Sequence, residues 1–91
     1  MEDEEGTLVK FSTNYYKQAW CDSYKRFHRL NGPAVIYYDG SMSWIRHGRL
    51  HRDDGPAREW PARGIETWWK DGKPYEPSAH ELMVWKMKKK A

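Results

Sequence analysis

The chain has one cysteine, Cys21, in 91 residues. A single thiol closes no internal disulfide, and a reducing cytosol is the compartment that suits such a composition. No apolar run approaches the roughly 18 residues of a membrane-spanning helix, so no such helix is expected. The opening, Met1-Glu2-Asp3-Glu4-Glu5-Gly6, lacks the basic start and apolar middle of a secretory signal. Hydrophobic residues reach only 38%, and mean hydropathy is −1.07. Those values would suit a disordered chain if aromatics were equally scarce. They are not: six Trp, six Tyr and two Phe make up 15% of the chain, and each buried aromatic removes roughly 150–250 Å² from water. The expectation is a folded domain with a thin, aromatic core.

Charge of either sign is in small excess only. Sixteen Lys and Arg against 13 Asp and Glu leave +3, too little to demand a nucleic-acid partner. The extremes are concentrated at the ends, with acids at residues 2–5 and lysines at Lys86, Lys88, Lys89 and Lys90. The expected organisation is an acidic disordered start over 1–6, a repeat domain over 7–75, and a capping helix with a basic tail over 76–91.

The repeat is explicit. His28-Arg29-Leu30-Asn31-Gly32-Pro33-Ala34 returns 23 residues later as His51-Arg52-Asp53-Asp54-Gly55-Pro56-Ala57. Gly40, Trp44 and Gly48 return 24 residues later as Gly64, Trp68 and Gly72, so one residue enters between Ala57 and Gly64, in Pro61-Ala62-Arg63-Gly64. Trp20 marks a fainter copy, giving a degenerate unit (7–27) before two clear ones (28–50 and 51–75). Val35-Ile36-Tyr37-Tyr38 and Met42-Ser43-Trp44-Ile45 have strand composition on either side of Asp39-Gly40, a pair suited to a two-residue type I′ turn. His47-Gly48 and Asp71-Gly72 read as the next reversals, and Asn31-Gly32-Pro33 and Asp54-Gly55-Pro56 as further turns. Leu8-Val9-Lys10-Phe11 and Tyr15-Tyr16 read as an opening strand or pair. Beyond Pro77, Ser78 with Glu81 has the form of a capping box, and Ala79, Leu82, Met83 and Lys86 follow helical spacing. The fold class is therefore mainly β: a single-sheet antiparallel meander of hairpin repeats, closed by a short C-terminal α-helix that covers the last strand edge or one sheet face.

The heptapeptide, followed by Gly, Trp and Gly at fixed intervals, resembles a degenerate MORN-type hairpin repeat over roughly residues 28–75. More narrowly it is similar to the variant found in small tailed-bacteriophage proteins. Asn31 in place of Asp, and Pro61-Ala62-Arg63-Gly64 in place of Asp-Gly, are departures from that pattern. The resemblance implies a hairpin scaffold, a phage origin and no particular reaction.

Each chemistry-bearing residue has a structural alternative. His28, His47 and His51 near Asp53 and Asp54 lack a third ligand at metal-site spacing, so the repeat histidines are expected to bond adjacent turns, with no metal. Arg29 and Arg52, with Trp44 and Trp68, are expected to form a stacked guanidinium–indole ladder. His28, Arg29, Gly32, Pro33 and Trp44, with His51, Arg52, Gly55 and Pro56, thus form the structural repeat set. Cys21, beside Asp22 and seven residues before His28, could pair with that imidazole only with contact and a depressed thiol pKa. No phosphate-binding loop, nucleophile elbow or cofactor motif occurs, so neither catalytic residues nor a cofactor are expected. Trp68 and Trp69 are consecutive and must face opposite ways, one of them under the helix or exposed.

The resulting expectation is a non-enzymatic, cytoplasmic phage accessory protein. It would occlude a host or phage protein, such as a bacterial defence component, through Tyr37, Trp60, Arg63, Trp68, Trp69 and Lys70. Binding of nucleic acid or a nucleotide by a basic aromatic face is the second reading, and self-assembly through an open sheet edge the third.

Overall fold

Strand-forming runs in this chain are cut short by residues held at positive φ, and those residues set its architecture. In the computed structural model, which describes residues 4–9 and 15–90, the elements are β1 (Thr7–Val9), β2 (Tyr16–Cys21), β3 (Val35–Tyr37), β4 (Met42–Ser43), β5 (Ile45–Arg46), β6 (Arg49–Leu50), β7 (Arg58–Trp60), a 3-10 turn (Pro61–Arg63), β8 (Ile65–Thr67), β9 (Trp69–Lys70), β10 (Lys73–Pro74) and α1 (Ala79–Lys90). Lys10, Phe11 and residues 1–3, which the sequence reading placed in the opening strand and the acidic block, lie outside the described residues.

The fold is mainly β, antiparallel throughout, with one short C-terminal helix. Its strands do not form one sheet. Six of them make the main sheet, in the order β1-β2-β3-β4-β7-β8, while β5-β6 and β9-β10 form two-stranded sheets of their own. Each clear unit thus contributes two hairpins, one to the main sheet and one outside it. The break comes at the tryptophan: Trp44 donates its N–H to Ala57 O in the main sheet and accepts from His51 N in the second hairpin, at 2.6 and 3.0 Å. Trp20 is placed likewise, donating to Ala34 O and accepting from His28 N, both at 2.8 Å.

The turn chemistry differs between the two hairpin types. His47-Gly48 (φ 48° and 83°) and Asp71-Gly72 (φ 52° and 79°) have both central residues at positive φ, as a type I′ turn requires. Asp39-Gly40, expected to be the two-residue turn, is instead the end of a three-residue loop. Gly40 N donates to Tyr37 O, only Gly40 has positive φ, and Asp39 Oδ1 accepts from Ser41 N and Oγ. The corresponding loop in the next unit is Pro61–Gly64, longer by the one residue that the repeat spacing requires.

Small side chains occupy the centre. Ala19, Ala34, Val35, Ala57 and Cys21 are buried, with Ser43 and the whole of His28, while Val9, Tyr16, Phe27, Tyr37 and Ile45 pack round the Ala19–Ala34–Val35 cluster. The aromatics expected to form the core are instead its half-buried rim. The reason lies in the register: Ala19, Val35, Ser43, Arg58 and Thr67 form one cross-strand row, and the second-layer residues Phe27 and Ile45 come down onto its first part.

The expected ladder exists with a shift of partner. Arg29 Cζ lies 3.8 Å from the centroid of Trp20, and Arg52 Cζ 3.9 Å from that of Trp44, so each arginine stacks on the tryptophan of the unit before it. Each also donates from Nη1 to the carbonyl of its own proline, Pro33 or Pro56. The glycine between them makes the room. A Cβ on Gly32 would stand 2.8 Å from Arg29 Cζ, and one on Gly55 would stand 3.0 Å from Arg52 Cζ and 2.9 Å from Trp85 Cζ3. Neither glycine is at positive φ, so space and not backbone freedom dictates them.

Helix α1 starts with the capping box read from the sequence. Glu81 N donates to Ser78 Oγ, and Ser78 N donates to Glu81 Oε1. The ring of its Trp85 also meets Arg52, with Cζ 4.7 Å from the centroid, and its indole N–H donates to Glu66. Lys88 and Lys89, placed in a solvated tail by the sequence reading, reach Asp54 and Glu66. Glu4 and Glu5 are likewise engaged: Glu4 accepts from Ser23 N and Oγ, and Glu5 from Asn31 Nδ2.

Substituting Gly55→Ala should therefore lower stability by about 1–3 kcal/mol through overpacking against Trp85 and Arg52. Gly32→Ala should cost less, because only the flexible end of Arg29 has to move. Urea unfolding of both variants measures this, and an unchanged midpoint for Gly55→Ala would contradict the packing described.

Candidate functional site

The repeat histidines are fully employed. His28 Nδ1 accepts from His47 N, and its Nε2 donates to Glu4 O. His51 Nδ1 accepts from Asp71 N at 3.1 Å, and Nε2 meets Asp53 Oδ1 at 2.8 Å. Acceptance at Nδ1 assigns the proton to Nε2 in both rings. Each histidine therefore grips the type I′ turn at the far end of its own unit. Expected to hold the adjacent Asn/Asp-Gly-Pro corner, the histidines bond the far turn instead, and toward the corner His51 reaches only Asp53, the residue before Asp54-Gly55-Pro56. Neither ring has a lone pair left for a metal, and no cluster of metal-ligating side chains occurs among the described residues.

Cys21 and Asp22 lie close to this network without activating a nucleophile. Burial pushes the Cys21 thiol above its ordinary value, and the Asp22 charge adds to that shift. A thiol raised in this way is poor at forming the thiolate that attack requires. In the degenerate turn Tyr24 stands where the later units have glycine, and Asp22 holds the turn together. Its buried carboxylate accepts from Tyr24 N, Arg26 N, Arg26 Nε and His47 Nδ1 at 2.7–3.0 Å, while Lys25 takes the positive φ, 65°. His28 and His47 stack with ring centroids 3.9 Å apart, completing a polar plug at this end of the array.

The six residues expected to form one partner surface divide between two places. Tyr37 and Trp60 border a groove of about 370 Å³ with Tyr15, Tyr38, Ser41 and Arg58. Arg58 stacks on Trp60 at 4.6 Å, and Arg63, exposed in the 3-10 turn, lies close enough to Asp39 to favour its charge. Hydrogen bonds from Ser41 contribute most to holding the Asp39 carboxyl below its ordinary value, so it is ionised at neutral pH. Tyr15 and Tyr38 are 76% and 64% exposed. The sequence reading did not select either tyrosine. The repeat pattern locates Tyr38 at a hairpin tip, where strand alternation no longer indicates a face.

Trp68, Trp69 and Lys70 lie elsewhere. Trp68 packs with Tyr75 and, edge-on, with Trp85 of α1, each at 6.5 Å between centroids. Trp69 is half-buried, and its indole N–H donates to Thr67 Oγ1. Lys70 Nζ sits 4.2 Å from the Tyr75 ring. Of the consecutive pair, the helix contacts Trp68.

Asp22 gives this end of the array a defined pH response. Burial raises the pKa of its carboxyl, and the bonds from His47, Arg26 and Tyr24 overcome that effect, leaving it well below the usual carboxylate range. With the folded pKa depressed, the stability it contributes is complete above the unfolded value of about 3.9 and is lost as pH falls from there toward the folded value. Asp22→Asn should lower Tm at pH 7 and flatten its decline between about pH 4 and 2. Parallel acid limbs for variant and parent would contradict this role.

Compared with family models, with curated proteins and with solved structures, the chain gives no match.

Proposed function

We propose that this protein is a non-enzymatic binding module that docks a segment of another protein in the Tyr37–Trp60 groove and acts by occluding it. The observation carrying this reading is the convergence of Tyr15, Tyr37, Tyr38 and Trp60 on one groove of about 370 Å³, with Arg58 stacked on the indole. Tyr, Trp and Arg are the residues most enriched among the anchors of protein interfaces. The hairpins supply rigidity: Tyr37 is fixed between core and groove, and its centroid lies 5.7 Å from that of Tyr16.

Charge favours a protein over a phosphate backbone. Asp39 borders the groove ionised, and its charge offsets one of the cations Arg58 and Arg63. A nucleic-acid track needs an uninterrupted positive lining. The resemblance of the heptapeptide repeat to phage hairpin repeats supports a host or phage protein as the partner class, with a bacterial defence component as one such target. No helix among the described residues is long and apolar enough to cross a membrane.

The test is affinity capture from bacterial lysate, with and without nuclease and at low and high salt, repeated with Tyr38→Ala and Arg63→Ala. Both side chains are exposed, so Tm should stay within about 1 °C. Capture of a stoichiometric protein should survive nuclease and salt, and one of the two substitutions should weaken it by roughly 30-fold, the loss of a hot-spot anchor. Salt-labile, nuclease-sensitive capture would instead support the nucleic-acid reading, because phosphate contacts weaken steeply with salt. Capture indifferent to both substitutions would remove the groove from the account.

A further inference from the structure

The third tryptophan of the array departs from the pattern set by the first two. Trp20 and Trp44 each carry a guanidinium on the ring, from Arg29 and Arg52, and each donates its backbone N–H to the next unit's alanine, Ala34 or Ala57. Trp68 occupies the same position in the last unit, and Tyr75 N donates to its carbonyl at 2.9 Å as His28 N and His51 N do to the others. From there the pattern fails. The position 24 residues after Arg52 is Glu76, and the chain turns into α1 after Pro77. Among the described residues no cation lies over the Trp68 ring, and the Trp68 N–H has no protein acceptor.

A pocket of about 240 Å³ opens beside Trp68 at this vacant position, bordered by Asp53, Asp54, Glu81, His80 and Lys88. One unit earlier the corresponding hollow, between Asn31 and Trp44, is bordered by Arg52 itself. Three carboxylates and one ammonium border the pocket at Trp68, and two of the carboxylates also meet arginines: Asp54 accepts from Arg52 Nε at 3.2 Å, and Asp53 lies 3.7 Å from Arg46 Nη2. Lys88 Nζ contacts Asp54 at 3.3 Å with both side chains at least half exposed, a pair of little energetic weight that a guanidinium can displace. The helix does not close the strand edge: none of its hydrogen bonds among the described residues is to the β8 backbone.

We infer that this end of the array binds an extended, arginine-bearing segment of a partner protein, the segment adding a strand to β8 and its arginine lying on Trp68 between the carboxylates. The two internal copies give the register. Arg29 and Arg52 each precede by five residues the alanine whose carbonyl takes the tryptophan N–H, so the partner's arginine precedes its accepting carbonyl by the same interval. Strand addition supplies backbone hydrogen bonds, and the planar guanidinium supplies stacking with a fork for carboxylates, which a lysine would not reproduce. A second copy of this chain fits less well. Its edge strand β1 begins at Thr7, and five residues before the preceding Gly6 stands Met1, not an arginine.

The probe is a labelled synthetic peptide with the sequence of residues 51–60, His-Arg-Asp-Asp-Gly-Pro-Ala-Arg-Glu-Trp, titrated into the full chain by fluorescence anisotropy. Saturable binding is expected, weakened about tenfold or more when alanine replaces the peptide's first arginine, the loss of one stacked and ion-paired guanidinium. The protein is identical in both titrations, so folding does not enter the comparison. Trp68→Leu should weaken the parent peptide's binding to a similar degree, and Tyr38→Ala should leave it unchanged, which separates this site from the groove. Equal binding of the two peptides, or none at millimolar concentration, would overturn the inference. Concentration-dependent self-association of the protein alone, lost in Trp68→Leu, would assign the edge to a second copy and overturn it equally.

Discussion

Most of this structure depends on one arrangement, a guanidinium held between the indole of one repeat unit and the glycine of the next. Arg29 lies on Trp20 above Gly32, and Arg52 lies on Trp44 above Gly55. The arrangement joins three demands. The ring needs a polar, planar cover because the chain has too few aliphatic residues to bury it. The arginine needs acceptors, which its own proline carbonyl supplies. The backbone at the corner must come close, which only a residue without Cβ allows. A cation on an aromatic face contributes about 0.5–2 kcal/mol depending on desolvation, a substantial share for a domain whose fully buried core is mostly alanine, valine and serine.

A second constraint acts within each unit. The repeat histidine accepts from the backbone at the following type I′ turn, so the position of the second hairpin is fixed by the unit's first residue. Where the array begins, Asp22 and the His28–His47 stack replace a missing glycine turn. Where it ends, Trp85 of α1 covers the last arginine. The two ends are therefore finished by different means, and among the described residues the β8 edge with Trp68 keeps the backbone form of an internal position without its partner strand.

The sequence made the repeat, the position of the inserted residue, the His47-Gly48 and Asp71-Gly72 reversals and the helix cap legible, because each rests on local spacing or backbone stereochemistry. Arginine–tryptophan stacking was also legible as an idea, but its pairing was not. The sequence places Arg52 between Trp44 and Trp68 without saying which ring it covers, and that follows from where the second hairpin folds. The division into three sheets escaped for a similar reason: nothing in Ser43-Trp44-Ile45 marks the break that the hydrogen bonds at Trp44 make. Of the expected partner residues, Tyr37 and Trp60 do share a groove, whereas Trp68 and Lys70 lie round Tyr75. Composition selected aromatic and basic residues as a class. It could not group them, because grouping depends on strand pairs formed between residues far apart in the chain, such as Met42 with Glu59.

The account stands or falls on the inter-unit stack, and Trp20–Arg29 is its simplest instance, with one further hydrogen bond from the guanidinium among the described residues, to Pro33 O. A double-mutant cycle with Trp20→Leu and Arg29→Met, read by urea unfolding, measures the coupling directly. The account predicts a favourable coupling of about 0.5–2 kcal/mol that persists at high salt, as expected for a stack and not for an exposed ion pair. Additive single losses, with no coupling between the two side chains, would contradict it.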